Sequence, residues 1–339
     1  SDYDSMLVQF SRGCPFDCEF CDIVLLNGRS QRTKSPEQFI GEIDSLYRAG
    51  WRGSVFIVDD NFIGSKAKVK AMLSGLACWM DRHGRPFHFF TEASINLADD
   101  EELMDLMARA GFNKVFVGIE TPNLESLKET NKYQNTKKDL LQSVRAIQKR
   151  GMEVMGGFIV GFDNDTETIF QRQIDFIQKS GIAAAMVGIL NALPGTKLWN
   201  RLGKEGRLIG ESSGDNTAVC VNFIPRMGMQ KLMDGYRSVL ETIYSPEIYY
   251  RRCVTFLKSY RQQTVSKINA SGVLAFFKSI WRIGIKNEEG FRRYFWRLLL
   301  KSLLINPRTF GEAVRLMIVG LHFRKSMCSS RSLPQETYR

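Results

Sequence analysis

Cys14, Cys18 and Cys21 lie in the run Ser11-Arg12-Gly13-Cys14-Pro15-Phe16-Asp17-Cys18-Glu19-Phe20-Cys21. Thiolates at i, i+4 and i+7 can wrap one compact soft-metal centre, and sulfur donors favour iron–sulfur clusters or zinc. No fourth Cys or His stands near them. A structural zinc or a plain electron-transfer cluster takes four protein ligands, so three leave one metal position open to a substrate or cofactor. Two other readings compete. The thiols could be buried and free, since cysteine packs as a small apolar residue, or they could hold zinc with a distant fourth ligand. Cys78, Cys220, Cys253 and Cys328 are scattered singly. An odd total of seven, with no leader pattern, points to a reducing compartment, hence the cytoplasm, rather than to a disulfide framework.

Up to about residue 200, short apolar runs alternate with helical patterns. Strands are expected at Met6–Phe10, Ser54–Val58, Phe87–Thr91, Val115–Ile119, Val154–Val160 and Ala184–Leu190. Helices are expected between them. Ser35-Pro36-Glu37-Gln38 reads as an N-cap, a first-turn proline and a capping box. Acids open the helix at Asp99–Ala110, complementing its dipole, and Gly111 closes it. Strands apolar on both faces belong to a parallel sheet covered by helices. Six such units predict an α/β fold with a partial (β/α)6 barrel resembling a TIM barrel, whose functional residues follow the strands.

The cysteine loop follows the first strand, and the later strand ends are also polar. Asp59-Asp60-Asn61 ends the second strand; the paired acids suit an ammonium group or, more simply, a solvated turn. Glu92 and Ser94 end the third, and Glu120 ends the fourth within Gly118-Ile119-Glu120-Thr121-Pro122. Gly156-Gly157-Phe158-Ile159-Val160-Gly161 spans the fifth, with glycines that let backbone approach a ligand closely. Leu193-Pro194-Gly195-Thr196 follows the sixth.

Cys-x3-Cys-x2-Cys with Phe20 before the last cysteine, after the first of six strands, resembles the signature of the radical S-adenosylmethionine (SAM) superfamily. The resemblance implies that Cys14, Cys18 and Cys21 hold three irons of a four-iron four-sulfur cluster. It implies that Phe20, Asp59, Asp60, Glu92, Ser94, Glu120, Gly157 and Gly161 seat SAM, whose reductive cleavage gives a 5′-deoxyadenosyl radical. A flavodoxin- or ferredoxin-type electron donor is implied as partner. The wording of Cys14–Asp22, Val58–Asn61, Glu92–Asn96, Gly118–Thr121 and Ile189–Leu198 is most similar to cobalamin-dependent members, above all the hopanoid C-2 methylase group. That narrower likeness implies methylation, or a related change, at an unactivated carbon of a lipid-like substrate. A cobalamin-free radical enzyme, and a zinc or iron–sulfur protein without radical chemistry, are the alternatives.

Cobalamin-dependent members carry an N-terminal cobalamin domain, often with Asp-x-His-x-x-Gly. Of the three histidines here (His83, His88 and His322), only Asp81-Arg82-His83 begins that pattern, and Pro86 replaces its glycine. The first residue is Ser1 rather than Met. Two expectations follow: a cobalamin domain cut away upstream, which the missing Met favours, or an enzyme that works without cobalamin.

Residues 1–225 hold 26 Lys and Arg against 29 Asp and Glu, whereas residues 226–339 hold 21 against 7. A boundary is expected near 225, between a radical SAM barrel (1–225) and a basic helical domain (226–339). Its helices mix Trp281, Arg282, Lys286, Arg292, Arg293, Tyr294, Phe295, Trp296, Arg297 and Lys301. That surface could meet anionic lipid, bind nucleic acid, or cap the barrel with its charges in water. A lipid-like substrate favours the first, at the inner face of the membrane. No run of 18 apolar residues exists to span a bilayer.

Overall fold

The computed structural model describes residues 4–211, 221–261 and 270–329, except the side chains of 270–271 and 327–329. Cys220 and the side chain of Cys328 lie outside the described residues.

Six strands form one parallel sheet in chain order: β1 (Ser5–Val8), β4 (Ser54–Ile57), β5 (His88–Glu92), β6 (Phe112–Glu120), β7 (Glu153–Val160) and β8 (Ala185–Ile189). Two-residue strands β2 (Ser11–Arg12) and β3 (Arg32–Thr33) pair antiparallel at its mouth. Helices α2 (Pro36–Arg48), α3 (Lys66–Arg82), α4 (Glu101–Ala110), α6 (Leu140–Lys149) and α7 (Ile169–Ser180) cover the outer face. The result is the α/β partial barrel expected. Strand β1 is shorter than its apolar run, because Phe10 leaves the ladder and its carbonyl instead accepts from Lys34 N at 2.9 Å. The capping box forms as read: Ser35 Oγ accepts from Gln38 N, and Gln38 Oε1 accepts from Ser35 N. The main core lies between outward strand residues such as Ile57, Phe89, Val117 and Val154 and helix residues such as Phe39, Leu76, Met107 and Ile177.

After α8 (Lys197–Lys204) come α9 (Met229–Ile243), α10 (Pro246–Ser259), α11 (Ala270–Ser279), α12 (Arg292–Ile305) and α13 (Phe310–Ser329). The helix expected at Val273–Ile283 instead changes winding, and Ile280–Ile285 is a π-helix. Trp296 of α12 packs there: its Nε1 donates to Gly284 O at 3.1 Å, and a Cβ on Gly284 would lie 3.0 Å from the indole. These helices pack on the outside and floor of the barrel. Arg252 of α10 is fully buried between the rings of Tyr244 and Tyr249, each 5.0 Å away, and donates to Ile243 O and Ala183 O. Arg315 of α13 reaches Glu153 at the start of β7 at 2.6 Å and also pairs with Glu312.

Candidate active site

The three cysteines sit in one loop between β2 and α1 (Ile23–Asn27), at the C-terminal mouth of the barrel. Gly13 sets the loop's path. Its φ is +98°, and an added Cβ would stand 2.9 Å from Gly28 O, so only glycine fits without moving backbone. Asp60 Oδ2 accepts from Gly13 N at 2.8 Å and from Asn27 Nδ2 at 3.0 Å. Asp59 accepts from Phe10 N at 2.8 Å and Ser11 Oγ at 2.5 Å, and burial pushes its carboxyl up despite those donors. Both acids therefore turn into the cysteine loop.

Asn61 Nδ2 points at Cys14 Sγ (3.8 Å), and Gln134 Nε2 at Cys18 Sγ (3.6 Å). All three cysteines are partly exposed. Burial raises the Cys14 thiol and pushes the Cys21 thiol up to about 12, so an electrophilic metal is what would draw thiolates here. Among the described residues no three His, Cys, Asp or Glu side chains converge on a single ion.

Glu120 ends β6 with φ +63°, a left-handed conformation unusual outside glycine. Its carboxylate pairs with Lys132 Nζ at 2.6 Å; the two side chains are 9% and 13% exposed. Burial opposes the Lys132 charge, but Glu120 and the Cys18 and Cys21 sulfurs outweigh it and raise its proton affinity. Lys132 also lies 5.9 Å from the ring of Phe20, which in turn lies 6.1 Å from Phe162. The sequence reading missed Lys132 and Gln134. Their signal was position: both lie in the segment following the fourth strand, where barrel folds place function.

On the inner wall, Gly118 and Gly157 are register partners, and Gly188 faces Ile159 on the next strand. The Phe116 ring lies 3.0 Å from where a Cβ on Gly157 would stand, and Glu120 and Lys132 fill the place of one on Gly118, so these two glycines make room for those side chains. Glu92 is open to solvent yet walled in by the barrel; that enclosure and the nearby Asp60 push its carboxyl up. Ser94 N donates to Asn61 Oδ1 at 3.2 Å, so Ser94 braces the Asn61 that faces Cys14. Gly161, with φ +104°, packs instead against Leu232 of α9. Among the described residues Gln134 Oε1 and Asn191 Oδ1 are buried without a partner, acceptors that a ligand bearing donors would satisfy. The donor set and these unmet acceptors together fit a cluster with a donor-rich cofactor beside it.

Residues 8–177, half of the chain, match the model of the Radical SAM superfamily; residues 196–334 match that of a domain of unknown function (DUF4070). An uncharacterized methyltransferase of Synechocystis sp. is 45% identical over 326 residues, covering 95% of this chain and 60% of its own length. The hopanoid C-2 methylase of Rhodopseudomonas palustris is 37% identical over 324 residues, covering 93% of this chain and 60% of that enzyme. The chain thus spans about three fifths of these curated relatives. Among solved structures, the radical SAM methyltransferase TsrM from Kitasatospora setae, with cobalamin and a 4Fe–4S cluster bound, superposes with a TM-score of 0.61 at 16% identity, over 95% of this chain and 61% of that one. The cobalamin-dependent radical enzyme OxsB gives 0.55 at 13% identity, over 96% and 54%. At such identities the superpositions establish the fold, while the sequence match establishes descent: the chain belongs to the Radical SAM superfamily.

Proposed function

We propose that this chain is the radical-generating part of a SAM-dependent methyltransferase acting on an unactivated carbon of a lipid-like substrate. The observation that carries the proposal is the placement of Cys14, Cys18 and Cys21 in one braced loop beside the Lys132–Glu120 pair. When bound, a reduced four-iron cluster supplies the electron that cleaves SAM into methionine and a 5′-deoxyadenosyl radical. The chain's own residues do the rest. Cys14, Cys18 and Cys21 would hold three irons of that cluster. Lys132 offsets negative charge next to the thiolates, Glu120 and Glu92 offer acceptors to ammonium or ribose hydroxyls, and Gly157 makes room for the Phe116 ring on the wall. Asp59, Asp60 and Ser94 serve as braces of the loop and of Asn61, and Gly161 shapes the turn that meets α9. A small acidic electron donor of flavodoxin or ferredoxin type is the partner this chemistry needs.

Two features support the finer reading. The hopanoid C-2 methylase likeness runs over nearly the whole chain, and its name specifies a polycyclic lipid. Helix α11 and its π-helical continuation also expose Leu274, Phe277, Trp281 and Ile285, and α12 exposes Trp296, Leu300 and Leu304. Lys278, Lys286, Arg293, Arg297 and Lys301 are exposed beside them. Aromatic and basic residues mixed in this way suit an anionic bilayer surface. Among the described residues no helix is long and apolar enough to cross a membrane.

Anaerobic reconstitution with iron and sulfide is expected to give about four irons and four sulfides per chain. Dithionite and SAM should then yield 5′-deoxyadenosine. One zinc with no acid-labile sulfide, or a full cluster that yields none of the nucleoside, overturns the proposal. Assays of methyl transfer with and without added cobalamin separate the cobalamin-dependent reading from the cobalamin-free one.

A further inference from the structure

Each sulfur of the cysteine loop is met by a hydrogen-bond donor, and two of those donors are side-chain amides. The backbone N–H of Phe16 favours the Cys14 thiolate, and that of Ile23 the Cys21 thiolate. Asn61 adds a second donor at Cys14, with Nδ2 3.8 Å from Sγ, and Gln134 supplies one at Cys18, with Nε2 3.6 Å from Sγ. Both amides are buried, at 3% and 7% exposure.

Their orientation follows from what surrounds them. Asn61 Oδ1 accepts from Ser94 N at 3.2 Å, so a backbone donor occupies the oxygen and the nitrogen is left to face sulfur. Gln134 sits in a 3-10 turn (Tyr133–Asn135) that does not need it for anchorage. Asn135 Nδ2 fixes that turn to Gly118 O and Ile119 O, each at 3.0 Å. Glu19 N donates to Thr130 O at 2.9 Å and joins the same segment to the cysteine loop. Among the described residues the Gln134 carbonyl oxygen has no partner. A buried amide with one end unsatisfied weakens a fold, and leucine in its place would not. Stability therefore does not account for Gln134, whereas its bond to sulfur does. That bond is weak while Cys18 is a thiol and strengthens once a metal holds it as thiolate, because charge on the acceptor strengthens a hydrogen bond.

We propose that Gln134 and Asn61 are positioning residues that set the reduction potential of the cluster. Each N–H draws negative charge away from one thiolate, so the cluster takes up a single electron from dithionite or a donor protein more readily. No bond in the protein is made or broken. The effect adds to the charge of Lys132 and acts through a different contact. This rests on the four-iron cluster of the functional proposal and goes beyond it by giving two residues a part in the electron-transfer step.

The test is a redox titration of the reconstituted chain without SAM, followed by electron paramagnetic resonance, in wild type, Gln134→Leu, Gln134→Glu and Asn61→Asp. Glu and Asp keep the shape of the side chain but, as carboxylates, carry no N–H. All three variants are expected to keep wild-type iron and sulfide content. They should hold the electron about tenfold less well at a given potential, a shift of about 59 mV to the negative for a one-electron couple. Resonance Raman spectroscopy reads the bond itself: the iron–thiolate stretches of wild type should shift in D2O, and those of the variants should shift less. A wild-type midpoint or D2O shift in Gln134→Leu overturns the assignment of Gln134, and the same result in Asn61→Asp overturns that of Asn61. Iron content that falls in Gln134→Leu but not in the isosteric Gln134→Glu, with the midpoint of the loaded fraction unchanged, shows a merely structural role and overturns it too. SAM cleavage by the wild-type preparation tells the two proposals apart. A four-iron wild type that yields no 5′-deoxyadenosine sinks the radical reading and leaves the potentials to be compared. Normal cleavage with unchanged potentials sinks only the role of the two amides, and one zinc with no sulfide sinks both.

Discussion

Lys132 occupies a position where charge has large consequences. It is nearly buried, anchored by Glu120, and faces the cysteine sulfurs. Adding an electron to a cluster adds negative charge, and a nearby cation favours that step. Lys132→Met is therefore expected to keep full iron content but to be harder to reduce, with a more negative midpoint and about tenfold weaker SAM binding. Lys132→Arg should restore most of both. Redox titration followed by electron paramagnetic resonance, with equilibrium dialysis for SAM, checks this; a merely structural role would lower iron content and leave the midpoint alone. Gly13→Ala tests the loop itself. With a Cβ pressed against Gly28 O, it should fold with wild-type helicity yet bind under a quarter of the iron, read by metal analysis. Sequence makes the thiols legible because their spacing is local. It does not show that Asp59 and Asp60 both turn into the loop, because direction at a strand end depends on where the next segment folds back. Lys132 looks like any solvated lysine until the chain after β6 brings it over Phe20.

Helix α8 works as a clasp on the cysteine loop. Arg201 pairs with Glu19 at 2.7 Å, with Asp163 at 2.7 Å and with Glu129 at 3.6 Å, tying the loop to the short helix Leu124–Glu129 that follows β6 and to the turn after β7. Arg207 adds a second bond to Asp163 at 2.6 Å. Arg201 is 28% exposed, so solvent screens part of this; Arg201→Met should cost about 2 kcal/mol of stability and loosen cluster retention, measured by denaturant titration and iron loss. Burial alone would raise the Asp163 carboxyl, but Arg207 and Arg201 hold it below its ordinary 3.8. A depressed carboxylate stabilises the fold fully above that ordinary value, and the contribution fades as pH falls through the lower folded value. The stability gap between wild type and Asp163→Asn should then be flat above pH 3.8 and shrink below it, read by urea melts across pH. The six strands and the helices between them were legible because alternation and caps are local signals. The π-helix was not, since it depends on Trp296 of α12 reaching back to Gly284.

At the scale of the whole molecule, the helices after α8 meet the barrel through buried charge and meet solvent through an aromatic–basic face. Vesicles containing about a third phosphatidylglycerol should bind the protein, and neutral phosphatidylcholine vesicles should not. Trp281→Glu with Leu300→Glu should cut sedimentation with the anionic vesicles at least tenfold, while SAM cleavage stays unchanged. The floor is tested separately. Arg315→Met leaves Glu153, which is 2% exposed, without its cation and should cost about 3 kcal/mol. Adding Glu153→Gln should recover part of that loss, and thermal melts of both variants read the coupling.

The Arg315–Glu153 contact also bears on how such proteins can be recombined. A carboxylate inside the first turn of a barrel strand and the arginine that neutralises it belong to segments more than 160 residues apart, 153 and 315. A chimaera that grafts a foreign barrel onto these helices, or foreign helices onto this barrel, would inherit half of a buried ion pair. Lys114, Glu153, Glu312 and Arg315 therefore form a unit of inheritance that must be exchanged together, and a crossover anywhere between α7 and α13 breaks it.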